Sequence, residues 1–216
     1  MNQEMIRKAE DFLKTSFAES LWAKEEPAQM GYRLEHSYRV ANIARTIAAR
    51  EGMNETLAVL GGLLHDIAYC EGITSREEWK NHGRRSAAMA RPFLQELGLT
   101  EREVNEVCYA IAIHVDDEAD FSWQRSAFSE TVGDADNIDR FDAYRIYETL
   151  EYQKFSSLSL TEKREKTESM LAQLKNLRSM KLGTSSTMEL WKSRMDDYIA
   201  FYEKLREQLE ASDRIQ

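Results

Sequence analysis

The chain contains four histidines, His36, His65, His82 and His114. His65 is followed at once by Asp66, at the end of a run from Leu57 to Leu64 that is apolar apart from two glycines. Imidazoles and carboxylates move protons near neutral pH and bind divalent transition metals. An ionised Asp66 in an apolar interior is costly unless it is paired or coordinated, and a divalent cation offsets that cost for several imidazoles and carboxylates together. Cys70 and Cys108 stand outside any CxxC spacing, which removes the usual structural-zinc pattern and any disulfide framework. The donor types therefore suit manganese, cobalt, nickel, zinc or iron in a catalytic site, with positions open to water or substrate.

Such residues can meet only if packed elements carry them. Residues 3–22 place Met5, Ile6, Ala9, Phe12, Leu13, Phe17 and Leu21 at helical spacing, and Pro27 and Gly31 then break the pattern. The next helix is expected at about 34–50, closing at Gly52, with His36 on the face of Val40, Ile43, Ala44 and Ile47. Asn54 is a candidate N-cap for a helix running through Leu57, Leu60, Leu63 and Leu64 to His65 and Asp66; a helix apolar all round belongs at the centre. Residues 71–81 read as polar and irregular, followed by a helix from about His82 to Leu97. Thr100 and Glu103 form a capping box for a helix that carries Val104, Val107, Ile111 and His114. A single helix is expected from about Ser129 to Tyr152, with Asp134 and Asp136 on it. Two charged amphipathic stretches, 161–182 and 186–210 on either side of Gly183, predict an antiparallel hairpin, packed within the chain or across a homodimer.

With 2 Pro and 9 Gly in 216 residues, helix propensity prevails nearly throughout, and the expected fold class is all-α. The expectation is one domain over residues 1–216, with a core at about 25–150 and a C-terminal helical hairpin at about 157–212. The longest apolar run falls well short of the ~20 residues of a membrane helix, and Met1 opens onto polar sequence, so a cytoplasmic protein without membrane contact is expected. A net charge of -9 with no basic stripe argues against nucleic acid polymers as partners, while leaving room for a small phosphorylated substrate.

The ordered segments Glu35-His36-Ser37, Leu64-His65-Asp66-Ile67 and Asp134-Ala135-Asp136-Asn137 resemble the HD superfamily of metal-dependent phosphohydrolases. That resemblance implies an HD-domain helical bundle with an added N-terminal helix. It also implies a metal held by His36, His65, Asp66 and Asp136, with Asp134 the alternative to Asp136. Asn81-His82-Gly83 and Ile113-His114 resemble the family's middle histidine segments, which serve a second metal or instead contact the phosphate and protonate the leaving oxygen. Alarmone hydrolases carry Glu-Asp shortly after His-Asp, where this chain has Tyr69 and Cys70. The cyclic-di-nucleotide phosphodiesterases carry a second adjacent histidine, where this chain has Val115 after His114. The stand-alone hydrolases remain, for which a nucleotide is the usual substrate.

On that reading Asp66 also orients the attacking water. Arg84 and Arg85 are candidates for substrate phosphates, Arg39 for an ion pair near the site, and Glu35 for a base or a favourable charge in a first helical turn. Two rivals use the same residues. One is a di-iron oxygenase with His36, His65, Asp66, His82, His114 and Asp136 as ligands. The other is a metal-binding regulatory module that works through its hairpin.

Overall fold

The structure, a computed structural model, describes residues 1–213 and 215. Among these residues all regular structure is helical and no strand occurs, as the composition predicts. The helices are α1 (Gln3–Glu19), α2 (Leu21–Glu25), α3 (Pro27–Glu51), α4 (Glu55–Leu64), α5 (Arg76–Glu96), α6 (Glu101–Ile113), α7 (Ala127–Asp139), α8 (Ala143–Tyr152), α9 (Leu160–Leu177) and α10 (Ser185–Glu210). A 3-10 turn follows Asp66 at Ile67–Glu71. No described helix is long and apolar enough to cross a membrane. The chain forms two compact units, Met1–Asn137 and Ile138–Gln216.

In the first unit α4 is the axis. Every residue from Thr56 to Leu64 is buried, and α1, α3 and α6 pack around them. Asn54 caps α4 through the N–H groups of Thr56 and Leu57, at 3.0 and 3.3 Å. Two close helix contacts depend on glycine. A Cβ on Gly62 would stand 2.6 Å from the Cα of Ala41, so α3 and α4 meet backbone to backbone. A Cβ on Gly83 would stand 2.6 Å from the carbonyl oxygen of Ala112, so α5 and α6 meet in the same way.

Four boundaries differ from the expected ones, each for a local reason. The first amphipathic stretch is two helices, because extended Ser20 accepts the N–H of Ala23 and donates its hydroxyl to the carbonyl of Cys70. Pro27 opens α3 instead of breaking it, since the first turn needs no N–H from that residue. The polar stretch before His82 is already helical from Arg76, where Ser75 and Glu78 cap each other at 2.9 and 3.1 Å. The stretch expected as one helix from 129 to 152 stops at Asp139, and Asp142 caps α8 by accepting the N–H of Ala143 at 2.6 Å.

The second unit holds the predicted hairpin. Leu171 and Leu174 of α9 are buried, as are Trp191, Met195, Tyr198 and Tyr202 of α10. The Trp191 indole donates to the carbonyl of Leu177 at 3.3 Å.

The two kinds of helical glycine should separate on substitution. Gly62→Ala should destabilise by about 1–3 kcal/mol through overpacking. Gly31→Ala, which meets nothing within 4 Å, should stabilise α3 by up to about 1 kcal/mol. Urea unfolding checks both, and an unchanged midpoint for Gly62→Ala would contradict the α3 to α4 contact.

Candidate metal centre

Four helices deliver one imidazole each. His36 lies midway along α3, His65 follows the last residue of α4, His82 sits in the second turn of α5, and His114 follows the last residue of α6. Their side chains are almost wholly buried, and they surround the carboxylate of Asp66, itself 3% exposed. Oδ1 of Asp66 faces Nε2 of His82 at 3.1 Å, of His65 at 3.6 Å and of His114 at 3.7 Å. Oδ2 lies 3.7 Å from Nε2 of His36. The donors form two triads that share Asp66: His36, His65 and Asp66, and Asp66, His82 and His114. In each triad the ligand atoms lie within 4.8 Å of one another.

The tautomers follow from the backbone. The Nδ1 atoms of His65, His82 and His114 are hydrogen-bonded to the carbonyls of Gly62, Trp79 and Ile111, each three residues earlier. A carbonyl only accepts, so each Nδ1 carries the proton and each neutral ring presents a bare Nε2. Nε2 of His82 and Nε2 of His114 lie 3.1 Å apart, a contact that needs a proton or a cation between or beside them. Inward-facing nitrogen lone pairs around a shared carboxylate fit a divalent transition metal.

Charge at the centre is strongly coupled. Burial raises the Asp66 pKa, but His65, hydrogen bonds from His114 and His82, and Arg33 outweigh it and hold the carboxyl well below the usual range. Asp136 is lowered as well: burial opposes this, and His36, with its Nε2 3.1 Å from Oδ1, outweighs it with help from His65 and His114. Burial pushes His65 down to about 4. For His114 burial also pushes down, but the hydrogen bond and charge of Asp66, with Asp136, carry the net shift upward.

Of the residues singled out from sequence, His36, His65, Asp66, His82 and His114 come together, and Asp136 joins them against His36. Asp134 is buried on the same helix as Asp136. Arg84 is engaged away from the imidazoles, with Asp116 at 3.1 and 3.2 Å, Glu118 at 3.1 Å and Asn81 at 2.6 Å. Arg85 binds Glu71 through both carboxylate oxygens. Arg39 approaches Glu35 at 3.9 Å.

The arginine at the centre is Arg33, which sequence reasoning does not single out. Its Nη1 donates to Oδ2 of Asp66 at 2.9 Å, and its guanidinium lies 3.4 Å from the ring centre of Tyr69. A signal exists in the spacing: Arg33 precedes His36 by one helical turn, but the helix expected from the periodicity begins one residue after it. Tyr32 stacks on the His36 ring at 5.8 Å. An open cavity of about 330 Å³ adjoins Arg33 and Tyr69 and is also lined by Trp22, Glu26, Gln29 and Ile73.

A family model described as HD domain matches residues 33–144, just over half of the chain. The fold is similar to the crystal structure of a predicted HD superfamily hydrolase from an uncultured Thermotogales bacterium, with a TM-score of 0.64 and 20% identity. The match covers 94% of this chain and 91% of that one. Among curated proteins none matches the sequence.

Because His114 is raised and must give up its proton before its Nε2 can bind a cation, metal binding should release protons. Affinity should therefore rise with pH through the range of about 5 to 8. Calorimetric titration of zinc or manganese into chelated protein, in buffers of different ionisation enthalpy, counts the protons. Affinity independent of pH would contradict the imidazole ligand set.

Proposed function

The chain belongs to the HD domain family, and from that premise we propose that it is a metal-dependent phosphohydrolase acting on a small phosphorylated substrate, a nucleotide in our reading. The observation that carries the proposal is the set of bare imidazole Nε2 atoms gathered on Asp66 beside a cavity that Arg33 also lines. His36, His65, Asp66 and Asp136 are the residues proposed to hold the cation, with His82 and His114 at a second position. A divalent cation there supplies Lewis acidity toward a phosphoryl oxygen and a water acidic enough to act as nucleophile near neutral pH.

The chain's own groups carry the remaining steps. Asp66, an acceptor held ionised, would orient the nucleophilic water. In the alternative to a second cation, His114, whose pKa is raised, would protonate the leaving oxygen, with His82 3.1 Å from it. Arg33 has a buried Nε without a partner, so it keeps donors for phosphate oxygens while Nη1 holds Asp66. Arg84 fixes the segment after His114 through Asp116, and in this way supports the imidazole at the end of α6.

One observation favours a second reading. The two triads that share Asp66 are also what a di-iron oxygenase needs, with Asp136 as a sixth ligand. The regulatory-module reading draws no support from the centre, where His36, His65 and Asp66 cluster and Asp136 lies 3.1 Å from His36.

Phosphate release by chelated enzyme, reconstituted with single metals and offered a panel of nucleoside mono- and triphosphates, tests the hydrolase. Manganese, cobalt or nickel should restore activity about as well as iron, with equal rates in air and under nitrogen. His65→Ala and Asp66→Ala should each lower turnover by more than about a hundredfold with helix content retained. The proposal fails if no metal supports phosphate or pyrophosphate release while iron alone supports oxygen uptake.

A further inference from the structure

The cavity beside the metal centre has an ordered wall. Gln29, Arg33 and His36 follow one another in the N-terminal half of α3 at spacings of four and three residues, which places them along one side of that helix, and Glu26 stands at its start as the N-cap residue. At 1.5 Å per residue, Glu26 stands about 10 Å along the axis from Arg33 and about 15 Å from His36. Polarity is graded along this line. The Arg33 guanidinium occupies the inner end of the cavity, the Gln29 amide donor and acceptor the middle, and the acceptor-only Glu26 carboxylate the outer end.

Part of the lining is aromatic, Trp22 and Tyr69. Trp22 packs its Cβ, Cγ and Cδ1 where a side chain on Gly72 would begin, all 3.3 Å from that point. Gly72 itself has φ +77, a conformation that keeps the residue a glycine. One face of Tyr69 is already covered by the Arg33 guanidinium, which leaves Trp22 as the aromatic surface open to a ligand. Glu26 makes no capping hydrogen bond to α3, so its carboxylate is not spent on the helix.

A ligand that matches this wall is anionic at one end, planar in its body and rich in hydrogen-bond donors at the far end. Glu26 would repel a phosphate, so the phosphate lies toward Arg33 and the metal centre. About 10 Å then remain for one sugar and one ring before Glu26. We propose that this cavity is the specificity pocket for a nucleoside monophosphate whose base carries an exocyclic amino group. In it Trp22 stacks on the base, and Glu26 and Gln29 read its donor edge. The proposal rests on the phosphohydrolase reading for its orientation, and it assigns the residues that choose among phosphorylated substrates.

Binding is measured by calorimetry with chelated and with manganese-loaded protein, using adenosine, cytidine and uridine monophosphates and glycerol phosphate. KM and kcat are measured in parallel. Trp22→Ala should weaken all three nucleotides by about tenfold and leave glycerol phosphate unchanged, while Trp22→Phe restores most of the loss. Glu26→Ala should lower the preference for adenosine and cytidine monophosphates over the uridine compound several-fold, read as the ratio of their kcat/KM values and of their affinities. Wild type that binds no nucleotide in either form, nucleotide affinity unaltered by Trp22→Ala, or an equal loss for glycerol phosphate would overturn the pocket assignment. If nucleotides bind in a Trp22-dependent way but no metal supports phosphate release, the pocket stands and the phosphohydrolase reading falls.

Discussion

The first unit is organised around one buried charge. Asp66 is held ionised in a place where a lone carboxylate would be neutral or the fold would open, because imidazoles converge on it from four helices and Arg33 closes the remaining side. The dependence is mutual. Without the carboxylate, Arg33 and four imidazoles would face one another with only Asp136, against His36, to balance them. Protein electrostatics and cofactor chemistry share one set of atoms here, so the same residues answer for the fold's interior and for its reactivity.

Packing delivers this arrangement in two matched pairs. α3 and α4 touch at Gly62 and Ala41 and bring His36 within 3.3 Å of His65. α5 and α6 touch at Gly83 and Ala112 and bring His82 within 3.1 Å of His114. In each pair the glycine sits beside or one turn away from a histidine of that pair. The missing side chain therefore sets how closely the two rings approach. Asp66, at the exit of α4, then links one pair to the other.

Much of this is legible in the sequence, and the reasons are specific. The central helix announces itself because no face of Leu57 to Leu64 is polar, and the Asn54 and Thr100 caps are readable because their partners are local. The His-Asp doublet and the isolated histidines point to a cluster because each imidazole falls on an apolar face or at a helix end, where burying it singly would be costly. Polarity misleads in the stretch before His82, where an exposed first helical turn looks like a loop. Pro27 misleads because a proline that opens a helix and one that ends it look alike when the preceding cap is weak; Glu26 makes no capping bond. The misplaced boundary hides Arg33, whose role depends on belonging to the same helix as His36. The cavity is not legible at all, since Trp22 and Tyr69 are distant in sequence and meet only through tertiary packing.

The rings of His65, His82 and His114 are steered by main-chain carbonyls of their own helices, not by carboxylates placed behind them. A side-chain partner can be lost by a point substitution, whereas every residue type supplies the same carbonyl. The identities of Trp79 and Ile111 are therefore invisible to the bonds they make. Ring orientation here is inherited from helical geometry itself, so the side chains of Trp79 and Ile111 take no part in aiming the imidazoles. The corresponding vulnerability is collective: fraying a single helical turn releases an anchor that no individual mutation could remove.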